Sequence, residues 1–191
     1  HVGYLFPMGP FFALAEAIGI SDSFAQRLWL AAITAVAGLG ARWLFRRLGT
    51  GRPAALAGAL VYMLAPYQLA FSVRMSVLLL PFAALPWIIG LVMAGLERPS
   101  WREPAAIALI VMTAGSVNLS ALALAAVGPI VVLAFAWRAP AAAWRLTWRT
   151  TLLSLGTCAW WLNGLRIQGR YGLPILQLTE NVTTISEFSL P

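Results

Sequence analysis

Apolar runs long enough to cross a lipid bilayer recur along this chain, and they decide what it can fold into. A crossing needs about 20 apolar residues at ~1.5 Å rise each. Six segments come close. Span A runs from Phe24 to Phe45, span B from Pro53 to Phe71, and span C from Met75 to Leu96. Span D runs from Pro104 to Val117, span E from Leu119 to Trp137, and span F from Trp148 to Leu165. D and E form one apolar stretch, interrupted only by Gly115-Ser116-Val117-Asn118. A single helix of that length would overshoot the hydrocarbon, so the stretch reads as a tight hairpin, with D short for a full crossing. Composition agrees. Of 191 residues, 61% are hydrophobic and 10% charged, and mean hydropathy is +0.82. A soluble domain carries about a quarter charged residues. A core of this size cannot hide so much apolar surface from water. A soluble globule, a disordered chain and a disulfide-built one are therefore excluded; Cys158, the sole cysteine, lies inside an apolar run. The expectation is an all-α, polytopic transmembrane helical bundle with about six spanning helices plus an interfacial one.

Helix boundaries carry local signals. Ser23 with Gln26, and Ser100 with Glu103, fit capping boxes. Asp22 reads as a helix cap. Pro53 and Pro104 sit where a first turn tolerates a missing N–H. Pro66, Pro81 and Pro86 fall at or inside spans B and C, where prolines kink helices. Residues 1–22 are apolar but broken by Gly3, Pro7, Gly9 and Pro10. They read as an outer loop followed by a short interfacial helix over Phe11–Ile18, stopped at Gly19. Residues 166–191 are the most polar stretch and read as an extracytoplasmic loop with a short helix around Leu176–Glu180.

All 13 basic residues are arginine, and the net charge is +7. In a soluble protein that balance would suggest nucleic acid. Here the arginines cluster between apolar runs, so they read as orientation signals, with no nucleic acid partner. The A–B connection, with the end of span A, holds Arg42, Arg46, Arg47 and Arg52; the C–D loop holds Arg98 and Arg102; the E–F connection, with the start of span F, holds Arg138, Arg145 and Arg149. Arg27, Arg74, Arg166 and Arg170 fall on the opposite side. The side with nine is expected to be cytoplasmic, which leaves both chain ends outside the cytoplasmic membrane. Trp29, Trp87, Trp101, Trp144 and Trp148 fall near the expected interfaces. The start at His1 and the stop in a polar stretch read as a fragment of a longer protein.

Soluble-enzyme chemistry has little to stand on: His1 is the only histidine, and there is no zinc spacing, phosphate loop or Ser/His/Asp set. What remains is a set of polar groups at the outer face. An arginine there either snorkels to headgroups or pairs bidentately with a lipid-linked phosphate. Arg170, flanked by Gln168 and Tyr171, and Arg74, between spans B and C, are the phosphate candidates. Asn118 either bonds an open helix end or contacts a sugar. Glu180 is either a solvated loop charge or an acceptor contact. Tyr4 is the remaining sugar or acceptor candidate.

The order of short motifs resembles a family. Gly3-Tyr4-Leu5-Phe6-Pro7-Met8-Gly9-Pro10-Phe11-Phe12, followed by Gln26-Arg27-Leu28-Trp29, is similar to the loop closure and span opening of mycobacterial-type alpha-(1->3)-arabinofuranosyltransferases. Leu64-Ala65-Pro66, Ala84-Leu85-Pro86-Trp87, Ser116-Val117-Asn118, Trp160-Trp161, Gly169-Arg170-Tyr171 and Glu180 with Val182-Thr183-Thr184 resemble its later motifs. Two departures stand out. Met75-Ser76-Val77-Leu78 lacks the family's glutamate, and Tyr67 follows Pro66 where the family has arginine.

The resemblance implies a GT-C membrane glycosyltransferase. Such an enzyme moves arabinofuranose from a polyprenyl-phosphate donor to an arabinan acceptor on the extracytoplasmic side. It also implies that the class's catalytic acid lies upstream of His1, so this piece alone is expected to be inactive. No metal ligands are assigned, and a divalent metal requirement stays open. Two other readings stay open as well: a lipid-linked saccharide transporter or flippase, and a non-catalytic membrane scaffold. Few charges inside the spans and no internal repeat speak against ion-coupled transport.

Overall fold

The structure, a computed structural model, describes residues 6–72, 76–116 and 119–171. The chain divides into two compact units, His1–Cys158 and Ala159–Pro191. Every regular element among the described residues is helical. The first unit holds α1 (Met8–Ala17), α2 (Asp22–Arg47), α3 (Arg52–Met63), α4 (Pro66–Ser72), α5 (Leu79–Glu97), α6 (Arg102–Gly115) and α7 (Leu119–Phe135). Short 3-10 turns precede α5 and follow α7. The last helix, α8 (Pro140–Tyr171), begins in the first unit. The described residues of the second unit, 159–171, are its closing turns.

Among the described residues, three segments are long and apolar enough to cross a membrane: α2, α5, and Ser120–Arg138, which is α7 with its closing turn. Together α3 and α4 make a fourth, bent by 40° between Met63 and Pro66. Of the six expected crossings, three or four are found as candidate spans among the described residues. Spans A, C and E emerge as continuous helices and B as a broken one. Span D becomes α6, whose 14 residues reach only about 21 Å at the helical rise. Span F becomes part of α8, a 32-residue helix whose apolar positions are diluted by Arg145, Arg149, Arg166 and Arg170. The polar stretch from Arg166 is also corrected. It is helical as far as Tyr171, because nothing in Leu165–Tyr171 breaks a helix as proline would. The expected helix around Leu176–Glu180 lies outside the described residues.

Helix ends follow local chemistry, with two corrections. At the end of α1, Gly19 takes φ 77°, its N–H bonds the Glu16 carbonyl at 2.9 Å, and the Ile20 N–H bonds Ala15 at 2.9 Å. This paired closure needs a left-handed residue, which glycine adopts without steric cost. Gly49 ends α2 in the same way. The Ser23–Gln26 box does not form, because the helix already starts at Asp22 behind Ser21, and Asp22 complements the helix dipole instead of capping. At α6, the Ser100 hydroxyl accepts from the Arg102 N–H at 3.0 Å and donates to the Glu103 carboxylate. The two residues thus pair side chain to side chain, and the reciprocal box is absent.

The packed centre is α5, against which α2, α6 and α7 pack, with α3 packed on α2. Small residues let the backbones approach. A Cβ built on Gly40 would collide with the Trp87 indole, and one on Gly90 with the Trp43 ring. Those two indoles stack at 5.4 Å, and the Trp87 N–H donates to the Val36 carbonyl at 3.0 Å. Tyr62 of α3 donates to the Phe82 carbonyl at 2.7 Å while its ring stacks on Phe82. At the other end of the bundle, Arg47 and Glu97 pair at 2.6 Å. Of the tryptophans expected at interfaces, Trp29 is buried and Trp87 is half-buried, its N–H bonded to the Val36 carbonyl. Trp101, Trp144 and Trp148 are exposed.

Candidate functional site

Three helices of the first unit enclose a partly open cavity of 470 Å³. The early turns of α2 contribute Trp29, Ile33 and Val36; α5 contributes Leu80, Ala83 and Trp87; the closing turns of α6 contribute Ile110 and Thr113. Pro7 also lines it, ahead of α1. These positions share one end of the bundle, the end away from the nine-arginine side. Each helix presents apolar residues there because its apolar face continues all round. The cavity wall is hydrocarbon, and the Thr113 hydroxyl is spent on the Leu109 carbonyl at 2.7 Å. Trp29 is different. It is only 6% exposed, and its buried indole N–H has no partner. Phe11 and Phe12 of α1 pack against its ring at 5.1 and 6.1 Å.

Polar groups border this end of the bundle. Gln68 of α4 is 2% exposed, its amide donates to the Thr34 hydroxyl at 2.8 Å, and Thr34 donates to the Leu30 carbonyl. The Gln68 carbonyl oxygen stays buried without a partner. Both side chains sit on helices apolar enough to span a membrane, where polar groups usually mark function. At the foot of α6, Ser116 donates to the Phe6 carbonyl at 2.8 Å and so joins the start of the chain to the α6–α7 hairpin.

The sequence candidates distribute unevenly. Arg170 is described: it lies on the last turn of α8, exposed, with its guanidinium 5.6 Å from the Tyr171 ring. Its expected setting in a loop is corrected to a helix end, where a cation is favoured by the dipole. Arg74, Tyr4, Asn118 and Glu180 lie outside the described residues. Tyr4 and Asn118 each stand two positions from the Ser116–Phe6 bond in sequence. Among the described residues, no three His, Cys, Asp or Glu side chains come together as metal ligands. Sequence reading missed Trp29, Gln68 and Thr34 as site residues. The polar interruptions Thr34 and Gln68 inside spans A and B were the available signal.

The comparisons with known proteins agree with one another. The family described as "Alpha-(1->3)-arabinofuranosyltransferase, N-terminal GT-C domain" matches residues 1–190. Over 195 residues the chain is 32% identical to the alpha-(1->3)-arabinofuranosyltransferase of Mycolicibacterium smegmatis, covering 95% of this chain and 13% of that protein. It is 31% identical over 193 residues to the Mycobacterium tuberculosis protein of the same name, covering 98% of this chain and 14% of that one. The chain thus spans about one-seventh of the length of these relatives. No solved structure matches it.

Proposed function

This chain belongs to the family of the alpha-(1->3)-arabinofuranosyltransferase N-terminal GT-C domain, and on that premise we propose that it is the part of a membrane glycosyltransferase that seats a lipid-linked sugar donor. The observation that carries this reading is the hydrocarbon-walled cavity between α2, α5 and α6. A polyprenyl-phosphate donor needs a place for its apolar chain within the bilayer and for its sugar phosphate at the surface. The cavity supplies the first. It is apolar, and it lies at the end of the bundle with fewer arginines, which is the extracytoplasmic side by the charge bias. The sugar is arabinofuranose and the acceptor an arabinan chain, by kinship with the named relatives.

In the transfer step, an acceptor hydroxyl oxygen bonds the anomeric carbon while the bond from that carbon to the phosphate oxygen breaks. Polyprenyl phosphate leaves with the electron pair, and the hydroxyl proton passes to a base. The departing phosphate is already anionic, so it needs cationic stabilisation more than protonation. Arg170 and Arg74 are the proposed phosphate contacts, and Tyr4, Asn118 and Glu180 the proposed sugar or acceptor contacts. The bend at Met63–Pro66 and the buried Gln68 are the features a flippase reading would use. A lipid-flip assay without acceptor separates the two readings.

Ala32 lines the cavity and is exposed in the structure, so a larger side chain there obstructs the cavity without overpacking the core. In the full-length protein, Ala32→Phe should cut transfer from a long-chain polyprenyl donor by about ten-fold, about 1.4 kcal/mol. Transfer from a short-chain prenyl donor should be spared. Equal loss with both donors, or loss with neither, would remove the cavity from donor binding. In the same assay, Arg170→Ala should lower turnover by about ten-fold or more if it stabilises the leaving phosphate. Unchanged turnover would remove that role.

A further inference from the structure

A second cavity of the first unit, 290 Å³, lies between α5, α6, α7 and the opening turns of α8. Its α5, α6 and α7 walls are hydrocarbon, with Val92, Val111 and Ile130 among them. Its α8 wall is different: it carries Thr147, Thr150 and Thr151, and the Thr150 hydroxyl is buried without a partner. The outer side of α7 is apolar and exposed at Leu124, Val127 and Phe135. The cavity therefore backs onto a helix that faces lipid.

The α8 wall stands at the arginine-rich end of the bundle. Arg149, next to Thr150, donates to the Ser100 carbonyl at 3.2 Å, and its guanidinium lies 4.6 Å from the Trp101 ring and 5.6 Å from Trp148. Its Nε is buried and has no partner. Arg145 is exposed one turn earlier on α8, and Arg98 and Arg102 flank Trp101 in sequence. The carboxylates at this end are engaged: Glu97 pairs with Arg47, and Glu103 accepts from the Ser100 hydroxyl. Positive charge is thus in excess beside a hydrocarbon slot edged with hydroxyls and indoles.

We infer that this cavity is a binding site for one anionic phospholipid of the leaflet at the arginine-rich end. An acyl chain occupies the slot, and the headgroup phosphate lies against Arg149 and Arg145. Basic pockets between membrane helices take lipid headgroups in this way, and exposed indoles hold the same depth. A free phosphate would leave the hydrocarbon slot unused, and an apolar segment of protein would leave the arginines unanswered. The inference rests on a different cavity from the proposed donor site and does not require glycosyl transfer.

The test uses the full-length protein in phosphatidylcholine vesicles containing a minor fraction of phosphatidylglycerol, with a photoreactive group on the lipid acyl chain. Phosphatidylglycerol should label the peptides around Leu122–Leu133 and Leu146–Thr151, and phosphatidylcholine with the same chain should label them less. Arg149→Gln and Arg145→Gln should each reduce that preference by about five-fold, the effect of about 1 kcal/mol per arginine. Ala126→Trp, which fills the slot, should abolish labelling of these peptides while the rest of the protein still labels. Three outcomes would overturn the inference. Equal labelling by both lipids would mean a non-selective surface. Absence of labelling would mean that another segment of the protein covers the slot. Displacement by inorganic phosphate would mean an anion site without a lipid chain.

Discussion

Two cavities of the first unit have nearly the same walls and different surroundings. Both are floored by α5, which turns Ala83 and Trp87 toward one and Ile88 and Val92 toward the other. Both are hydrocarbon, as any gap between lipid-adapted helices will be. What separates them is the polar chemistry nearby. The larger cavity has an unpartnered indole N–H in its wall and a buried glutamine at its end of the bundle, both without charge. The smaller one has threonine hydroxyls and, beside it, an arginine packed against two indoles. In a membrane protein the lining says only that a chain of carbons fits. The groups at the edge say which headgroup that chain belongs to.

The strongest way to break the comparison is to move the shared floor. Gly90→Ala puts a methyl where the Trp43 ring already lies, so either that ring or the packing of α2 on α5 must shift. Overpacking of this kind should destabilise by about 1–3 kcal/mol. Thermal unfolding in detergent should record it as a lowered midpoint, and both cavities should lose selectivity together. Gly156→Ala is the counterpart. Nothing lies within 4 Å of its added methyl, and the position is mid-helix on α8. There the same substitution should stabilise by about 0.5–1 kcal/mol, because glycine is the poorer helix former. Two changes of the same sign would contradict the close approach at Gly90.

A smaller effect tests whether the arginine-rich end is held by charge or by packing. The Arg47–Glu97 pair is short at 2.6 Å, yet the Glu97 side chain is 62% exposed. Glu97→Gln should therefore cost less than about 1 kcal/mol and become indistinguishable from wild type at high salt. A larger, salt-independent loss would show that the pair orders the ends of α2 and α5.

Much of this architecture was legible before the structure, and the failures have physical causes. The break expected at Gly115–Asn118 falls where α6 ends and α7 begins, and Val117 and Asn118 themselves lie outside the described residues. Gly19 stops α1 as expected, since the left-handed closure is a local demand. Fewer than six candidate crossings are found among the described residues because an apolar run reports burial, and a 14-residue helix can be buried against α5 without being long enough to span. Arg170 was read into a loop because polarity was taken as a break, whereas arginine is a good helix former. The burial of Trp29 was not legible, because composition gives an indole's preference and not its direction. The cavities were not legible at all: each is the shape left by three or four helices, and no single segment encodes it. Arg74, Tyr4, Asn118 and Glu180 fall outside the described residues.

The smallest predicted effect concerns the polar clasp beside the second cavity. Glu103 is held below the usual carboxylate range, first by the Ser100 hydroxyl and then by its own backbone N–H and the nearby Arg98 and Arg102, against the opposing pull of partial burial. A carboxylate with a depressed folded pKa releases its proton more readily folded than unfolded. Its contribution to stability is therefore complete above the unfolded value and is lost as pH falls through the lower folded one. Ser100→Ala removes the leading cause. The variant should be slightly less stable than wild type at neutral pH, and the two unfolding curves should converge in acid once Glu103 is protonated in both. Because Ser100 also gives its carbonyl to Arg149, the substitution leaves that backbone contact in place and isolates the hydroxyl. A gap that persists unchanged into acid would mean that Ser100 acts through the Arg102 N–H, as a helix cap, and not through the carboxylate.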